Sequence, residues 1–397
     1  MSSQNPVFIP GPTNMPEEIR KAIDMPTMDH RSPAFAGILQ PALAGVKKVL
    51  KTDGGEVIVF PASGTGGWEA AIANTLSPGD KVIVGRNGMF SSRWIDMCRD
   101  FGLDVTVIEV PWGEGLPAER YEELLAADTG HGIKAVLATH NETATGVVSD
   151  IAAIGQALRD TSHPALFLVD GVSSVGSMDF RMDEWGVDIV VTGSQKGFML
   201  PAGLAIVGVS EKARAAYQTA MLPRSFFDFR AMETAYGNNG YPYTPAVGLL
   251  NGLKLATEML LHEGLDNVFA RHRRIADGVR AAAGAWGLDL CAVRPEFHSD
   301  SVTAVRTPEG VDATAIVTRA AEEYGMAFGV GLGEVAGKVF RIGHLGQLSD
   351  ALALSGLATV EMVMVDLGLD IRLGSGVAAA QEVYRHGART NSKREAA

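Results

Sequence analysis

At 397 residues, the chain is long enough for two or three domains with a large core. Hydrophobic residues make up 46% and charged residues 20%, as in globular proteins, and a net charge of −12 argues against binding to nucleic acid or an anionic membrane. Two cysteines, Cys98 and Cys291, are too few for a disulfide framework or a thiolate metal site. No apolar run approaches a membrane span and the N-terminus lacks signal-peptide features, so we expect a cytoplasmic protein.

Strand and helix patterns alternate between residues 33 and 210. Apolar runs of strand length recur there, separated by segments with helical spacing of apolar residues. The predicted strands are Val57–Phe60, Lys81–Gly85, Asp104–Glu109, Ala135–Thr139, Ala165–Val169, Val187–Thr192 and Leu204–Val209. Buried strands that alternate with helices predict an α/β fold with a mostly parallel seven-stranded sheet, in which ligands bind beyond the carboxyl ends of the strands.

A smaller α+β unit is predicted after this sheet, at the end of a long helical segment. Its strands would be Ser301–Val305, Ala327–Val330 and Val339–Ile342. The Pro- and Gly-rich start of the chain is expected to cross to this unit or to the active site, and the polar end from His386 to be a frayed tail. The predicted domains are an N-terminal segment of residues 1–20, a large domain of 21–286, a small domain of 287–375 and a tail of 376–397.

Lys196 follows a predicted buried strand in the run V-D-I-V-V-T-G-S-Q-K-G. An amine in a partly desolvated pocket loses its proton more easily, and such a lysine forms a Schiff base with an aldehyde. A solvated loop lysine fits this segment equally well. The segment alone therefore leaves both interpretations open.

A glycine-rich turn, P-A-S-G-T-G-G-W-E, follows the first predicted strand and leads into a helix. Free backbone amides and the positive end of the helix dipole suit a phosphate there. Glu69 occupies the position of the third glycine of a dinucleotide fingerprint, which excludes that motif. A tight turn without a ligand is the alternative interpretation.

Asp170 ends the buried run L-F-L-V-D, where an unpaired carboxylate would be costly. The carboxylate either forms a salt bridge or caps a helix within the protein, or it pairs with the protonated ring nitrogen of a cofactor. Two other turns at the same edge carry Phe90, which can stack on a flat ring or pack in the core, and the polar group at 140–143.

Pyridoxal 5′-phosphate (PLP) requires four features that are all present here. They are a turn that can bind phosphate, an aromatic side chain that can stack on a ring, a buried carboxylate and a lysine at the end of a strand. In PLP enzymes a lysine binds the aldehyde, and a carboxylate keeps the pyridine nitrogen protonated so that the ring accepts electrons. The four features follow different strands of one predicted sheet and come in the chain order that such a site requires. The sequence therefore predicts a PLP site.

The chain resembles the class V, fold type I aminotransferases, and specifically the alanine/serine–glyoxylate aminotransferase branch. The resemblance spans nearly the whole chain, and its most specific motifs are G-T-G-G-W-E, T-H-N-E-T-A-T-G-V, V-D-G-V-S-S-V-G, T-G-S-Q-K-G and R-I-G-H-L-G. It implies that Lys196 binds the cofactor aldehyde and that Asp170 pairs with the ring nitrogen. The other cofactor contacts that it implies are Phe90 on the ring, Thr143 at the ring hydroxyl, Thr65, Gly66, Gly67 and Gln195 at the phosphate, and Val172.

The same resemblance implies a homodimer with shared active sites. The run N-G-Y-P-Y-T-P matches a family segment that donates Tyr241 and Thr244 to the phosphate of the neighbouring subunit. Arg341 matches the family's substrate-carboxylate arginine, whose planar fork makes two hydrogen bonds to a carboxylate. A surface arginine is the alternative, although V-F-R-I-G begins as an apolar strand.

The reaction implied is transfer of an amino group from an L-amino acid to glyoxylate, which leaves as glycine. Lys196 would move the Cα proton of the donor. Serine is the expected donor, with aspartate and alanine as alternatives. Aspartate needs a second cation, for which Arg31 is a candidate, although Arg31 would equally serve as a salt-bridge anchor of the N-terminal segment.

Two other functions compete with this prediction. A class V lyase such as a cysteine desulfurase needs a nucleophilic cysteine on a mobile loop, whereas Cys98 falls in a predicted helix and Cys291 in no recognisable mobile loop. A non-catalytic module of the same fold usually lacks the lysine or the aspartate, and both are present here.

Overall fold

The computed structural model describes residues 6–394. Its largest sheet contains all seven predicted strands, and the chain order differs from the spatial order. In space the strands follow one another as Glu56–Phe60, Ala205–Val209, Ile189–Gly193, Leu166–Asp170, Ile133–Thr139, Lys81–Arg86 and Asp104–Glu109. Ala205–Val209 is antiparallel to both of its neighbours and all other pairs are parallel, which confirms the predicted α/β fold.

Both faces of this sheet are buried, because its strands are apolar on both sides. In the first strand, Val57 and Val59 belong to one hydrophobic cluster and Ile58 and Phe60 to another, as the two-residue period of a strand requires. One face is covered by the helices Ala36–Leu50, Ala118–Ala127, Ile151–Asp160 and Val247–Glu263. The other face is covered by Gly64–Thr75, Met89–Asp100, Glu211–Ala216 and Phe229–Gly237.

A second, four-stranded sheet contains both the start of the chain and residues beyond 300. Its strands are, in spatial order, Val7–Phe8, Ala327–Val330, Val339–Gly343 and Val302–Arg306. Val7–Phe8 runs parallel to Ala327–Val330, and the rings of Phe8 and Phe328 stack with centroids 5.4 Å apart. The N-terminal segment therefore lies in the small sheet, while the domain boundaries themselves stay a prediction.

The remaining helices surround the small sheet or lead into it. Glu17–Ile23 follows the N-terminal strand, and Leu265–Ala285 continues from Val247–Glu263 after a single residue, Gly264. Ala313–Tyr324, Asp350–Asp366 and Ser375–Arg394 complete this part of the protein. A two-residue ladder between Asn141–Glu142 and Val147–Val148 closes the polar loop after strand Ile133–Thr139.

We predicted a frayed tail from His386 onward. Helix Ser375–Arg394 continues past that residue, and residues 395–397 lie outside the described part. Ala380 and Tyr384 are buried, and the Tyr384 hydroxyl donates a hydrogen bond to the carbonyl of Ile275, at 3.1 Å. Apolar residues four positions apart thus attach this helix to Leu265–Ala285, although the sequence that follows them is polar.

Across residues 6–394, no helix combines the length and apolar character that crossing a membrane requires.

Candidate active site

The carboxyl edge of the large sheet brings the predicted site residues together. Asp170 is the last residue of its strand and pairs in register with Thr139 on one side and Val191 on the other. The loops that follow these three strands therefore start side by side. Because parallel strands end at one edge of the sheet, the loop that carries Lys196 leaves the sheet close to Asp170.

Asp170 is a buried carboxyl group with few partners. Its Oδ1 accepts one hydrogen bond from the backbone N–H of Val172, at 2.9 Å, and 4% of the residue is exposed. Burial raises the pKa of Asp170 to about 7. The charge of Glu142 adds to this rise, whereas the hydrogen bond from Val172 and the charge of Lys196 oppose it. The indole of Trp68 also lowers this pKa, yet its Nε1 makes no well-aligned hydrogen bond.

The amine of Lys196 lies against the N-terminal segment. The residue as a whole is half-buried, but protein surrounds its amine, and Nζ donates a hydrogen bond to the carbonyl of Pro10. Burial lowers the pKa of Lys196 to about 8, and the charge of Arg341 acts in the same direction. At neutral pH a larger fraction of this amine is therefore uncharged than in a solvated lysine, which is what a nucleophile or proton acceptor requires.

The glycine-rich turn presents an uncapped helix start. Helix Gly64–Thr75 begins after Ser63, whose side chain makes no capping hydrogen bond. The first backbone N–H groups of a helix have no partner within the helix, and together with the helix dipole they attract anions. Thr65 is exposed and Gly66 is half-buried at this start. This is the arrangement expected of the predicted phosphate site.

Two glycines of this turn allow close packing on the sheet. A Cβ at Gly64 would lie 2.7 Å from Cγ2 of Val172, and a Cβ at Gly67 would lie 2.5 Å from Cγ1 of Val191. The lack of a side chain at Gly67 is therefore explained by its close contact with the sheet. Val172 touches the start of the helix and its N–H binds Asp170, so it joins the two predicted cofactor contacts.

Glu142, in the polar group at 140–143, is a fully buried carboxylate to which the sequence alone assigned no role. Its Oε2 accepts hydrogen bonds from the backbone N–H groups of Phe90 and Ser91, at 2.9 and 3.0 Å, and its Oε1 from that of Ala144, at 3.1 Å. Burial raises the pKa of Glu142, and these hydrogen bonds oppose the rise. Glu142 thus attaches the first turn of the Phe90 helix to the loop that contains Thr143.

Arg341 connects the small sheet to the same edge. It is buried, its Nε donates to the carbonyl of Val330 at 2.7 Å, and its Nη1 donates to the carbonyl of Thr143 at 3.0 Å. Burial lowers the pKa of Arg341 to about 10, and Glu142 opposes this. Among residues 6–394 it has no salt-bridge partner, and its Nη2 makes no hydrogen bond. Since a buried cation normally has an anionic partner, the arginine fits the carboxylate of a ligand.

Several buried polar atoms at this edge lack a protein partner. They are Oγ1 of Thr139, Oδ1 of Asn141, Oγ1 of Thr192 and Oε1 of Gln195, all within two residues of the ends of two central strands. Buried polar groups in native proteins are nearly always hydrogen-bonded. A concentration of unsatisfied atoms here indicates a polar ligand, and Gln195 was predicted to contact the phosphate.

Tyr241 and Thr244 occupy different environments in the single chain. The Tyr241 hydroxyl donates to the carbonyl of Val59, and the N–H of Val59 donates to the Tyr236 hydroxyl at 3.1 Å. Thr244 is exposed, as is Arg31. The predicted contacts of Tyr241 and Thr244 with a neighbouring phosphate, and either role of Arg31, stay predictions.

The residues present fit PLP. An uncapped helix start suits its phosphate, a buried carboxyl with a pKa near 7 suits its pyridine nitrogen, and an amine with a lowered pKa suits its aldehyde. Lys196 and Thr143 lie on loops that leave the sheet beside Asp170, as expected from the sequence. Glu142 and Pro10 were not predicted as participants, although Glu142 belongs to the motif T-H-N-E-T-A-T-G-V and Pro10 to the Pro- and Gly-rich start of the chain.

Both cysteines are buried, which bears on the lyase alternative. Cys98 lies in helix Met89–Asp100, and burial raises the pKa of its thiol to about 12. Burial also raises the pKa of Cys291. A nucleophilic cysteine needs an accessible thiolate, and neither residue provides one.

Comparison with known proteins agrees with this geometry. The family model of class V aminotransferases matches residues 19–334. An L-aspartate–glyoxylate aminotransferase of Paracoccus denitrificans is 72% identical over 97% of both chains. A serine–glyoxylate aminotransferase of Hyphomicrobium methylovorum is 52% identical over 95% of this chain and 94% of its own.

The fold has a close counterpart among solved structures. The crystal structure of pyridoxamine–pyruvate aminotransferase from Mesorhizobium loti superposes with a TM-score of 0.89 at 31% identity, covering 96% of this chain and 97% of the other. Class V aminotransferases depend on PLP, so the predicted cofactor and enzyme class are confirmed. From the family match, the relatives and the site together, the chain belongs to the class V aminotransferases.

Proposed function

We propose that the chain is an amino acid–glyoxylate aminotransferase with aspartate as its amino donor. The proposal rests on the convergence of Lys196, Asp170 and Arg341 at one edge of the large sheet. Arg341 has no carboxylate partner among residues 6–394. The three residues supply a proton acceptor, a ring partner and a substrate-binding cation. Relatives of known name support glyoxylate as the acceptor, since those at 72% and 52% identity are both named for it.

In the proposed mechanism each residue acts on a defined atom. When bound, PLP supplies an aldehyde carbon that bonds to nitrogen and a ring that accepts electrons from the substrate Cα. Asp170 holds a proton at the ring nitrogen. Arg341 binds the substrate carboxylate through Nη2, while its Nε and Nη1 remain attached to backbone carbonyls. Lys196, as the neutral amine, accepts the proton from the substrate Cα and would deliver it to the carbon of the cofactor aldehyde.

Glyoxylate suits this site because a single carboxylate is enough to orient it. It has no side chain, so the guanidinium of Arg341 and the lysine define its position between them. The amino donor has additional atoms, and its preference depends on residues around those atoms. Serine was our first expectation, but higher identity to the aspartate enzyme favours aspartate, with serine as the second candidate.

A cytoplasmic homodimer is part of the proposal. Thr244 is exposed on the single chain, which leaves it available to a second subunit, and the family resemblance places Tyr241 and Thr244 at the phosphate of that subunit. Analytical ultracentrifugation is expected to give a species of twice the chain mass. A monomer that retains full activity would contradict shared active sites.

The donor experiment compares aspartate, serine and alanine, each with glyoxylate as the acceptor. We expect the largest kcat/KM for aspartate, because this ratio measures differential binding of the transition state. The Lys196→Ala variant serves as the matched control, and its activity should fall by at least about 10³-fold, the scale of a lost acid–base group. A larger kcat/KM for serine would overturn the donor, and an active Lys196→Ala variant would overturn the site.

A further inference from the structure

The N-terminal segment forms a closed strap over the active-site edge. We define the strap as residues 7–14. Its first two residues pair with the small sheet, and the Asn14 side chain returns to Val7, accepting its N–H at 2.9 Å and donating to its carbonyl at 2.8 Å. Both ends of the strap are therefore fixed to the same sheet.

Glycines of the small sheet hold the strap at close range. A Cβ at Gly343 would lie 2.2 Å from the carbonyl oxygen of Ile9 and 2.6 Å from the nitrogen of Pro10. A Cβ at Gly329 would lie 3.0 Å from Cδ of Pro10. Any larger residue at Gly343 would push the strap away from the sheet, so the position of Pro10 is determined by this contact.

The strap meets Lys196 at Pro10 and Gly11. The Pro10 carbonyl accepts a hydrogen bond from Nζ of Lys196. A Cβ at Gly11 would lie 2.4 Å from Cδ and 2.6 Å from Nζ of the lysine, and Gly11 has φ of +99°, a conformation that L-residues rarely adopt. A second contact joins the same elements, since the Thr13 hydroxyl lies 3.5 Å from the Lys196 carbonyl.

We propose that the strap positions the lysine amine: the Pro10 carbonyl receives Nζ of Lys196 whenever the amine is not bonded to the cofactor, and Gly11 leaves the volume that the lysine side chain occupies. The proposal rests on the proposed role of Lys196 but not on the identity of the donor. A carbonyl that accepts one N–H directs the nitrogen lone pair away from itself, which pre-orients the amine for attack.

The same sheet carries the strap and Arg341. A Cβ at Gly329 would touch both, at 3.0 Å from Pro10 and 3.1 Å from Cβ of Arg341. The acceptor of the lysine and the cation for the substrate carboxylate are therefore fixed to one another through adjacent strands. Movement of the small sheet relative to the large one would displace both groups together.

The test measures Schiff-base formation after apoenzyme is mixed with PLP. In that step the amine of Lys196 adds to the aldehyde carbon and one water leaves, which changes the absorbance of the cofactor. We expect Gly11→Ala to lower the rate constant by about tenfold or more, since a displacement of about 1 Å is enough. Binding of pyridoxamine phosphate, which has no aldehyde, should stay within about twofold of the wild type, because only the lysine has moved.

Gly79→Ala is the matched control for backbone strain. Gly79 has φ of +82°, but no atom lies within 4 Å of the Cβ that a substitution would add. It should match Gly11→Ala in thermal unfolding and the wild type in the rate of Schiff-base formation. If Gly11→Ala reacts at the wild-type rate, or loses pyridoxamine phosphate affinity in proportion to the rate, the inference is overturned.

Gly343→Ala is a second variant, which displaces the strap through Ile9 and Pro10 without contacting Lys196. It tests the role of the Pro10 carbonyl independently of the space at Gly11. We expect it to slow Schiff-base formation as Gly11→Ala does. A wild-type rate in Gly343→Ala would overturn the role of the Pro10 carbonyl. Schiff-base formation in Lys196→Ala would instead contradict the proposed function, so the two failures are distinguishable.

Discussion

Two buried carboxylates show how two regions of this molecule differ: the junction of the C-terminal helix and the carboxyl edge of the large sheet. Glu361 lies at the junction of the C-terminal helix, 2% exposed, and accepts hydrogen bonds from Nε1 of Trp286 at 3.0 Å and from the N–H groups of Gly374 and Gly376 at 2.7 and 2.6 Å. Asp170 lies at the carboxyl edge of the large sheet, equally buried, with one such bond.

The difference separates a structural role from a ligand-binding one. A buried carboxylate with several donors is compensated by the protein itself, and its removal leaves those donors unsatisfied. A buried carboxyl with one donor is compensated only when something else binds. We therefore expect the number of hydrogen bonds, rather than the depth of burial, to distinguish a ligand-binding carboxylate from a structural one in this chain.

Asp170→Asn is the strongest test of this comparison. The amide keeps the oxygen that binds Val172 but cannot hold a charged ring nitrogen, so we expect kcat to fall by about 10²–10³-fold, the scale of a lost preorganised electrostatic contact. The apoprotein should become more stable at the same time. At pH 8 the expected gain is on the order of 4 kcal/mol, since burial raises the pKa of Asp170 from 3.8 to about 7 and one pKa unit corresponds to about 1.4 kcal/mol.

The sign of this stability change depends on pH. Because the pKa of Asp170 in the folded protein is raised from its ordinary value of 3.8 to about 7, its contribution to stability is present below pH 3.8 and is lost as the pH rises through about 7. The advantage of the Asn variant should therefore appear between these values. Chemical unfolding of both apoproteins at pH 5 and pH 8 measures it, and a less stable variant at pH 8 would contradict the comparison.

Arg341→Lys tests the cation at the same edge. A lysine cannot donate to both backbone carbonyls and also present further N–H groups in the same plane to a substrate carboxylate. We therefore expect KM for the amino donor and for glyoxylate to rise about tenfold, which corresponds to roughly one charge-assisted hydrogen bond. Steady-state kinetics with both substrates measure this. Arg306→Lys, at the end of the neighbouring strand, is the control and should leave KM unchanged. Equal effects at both positions would refute a specific carboxylate site.

Glu361→Gln should have the smallest effect on catalysis. The amide retains one acceptor oxygen and places an NH₂ group against an N–H donor, which we expect to destabilise the fold by about 2 kcal/mol. The kcat/KM of the folded enzyme should stay within about twofold of the wild type, because the junction lies outside the proposed site. Denaturant unfolding gives the first quantity. A loss of kcat/KM comparable to that of Asp170→Asn would show that the two regions do not differ in role.

The sequence was sufficient for the large sheet, because strands buried on both faces are continuous apolar runs. The same property made Asp170 visible, since a carboxylate at the end of such a run is unusual. Glu142 and Pro10 were not recognised, because their contacts join residues far apart in the chain, such as Pro10 and Lys196. The C-terminal helix was missed because its attachment rests on few apolar residues, including Ala380 and Tyr384, within a polar segment.

The two carbonyls that accept hydrogen bonds from Arg341 make its orientation independent of neighbouring side-chain identity. They belong to the backbone of Val330 and Thr143, so no substitution at either position removes them. In the proposed site these two hydrogen bonds of Arg341 therefore do not depend on which side chains stand at 143 and 330. Substitutions around the rest of the amino donor can then change donor preference while these two hydrogen bonds of Arg341 remain in place.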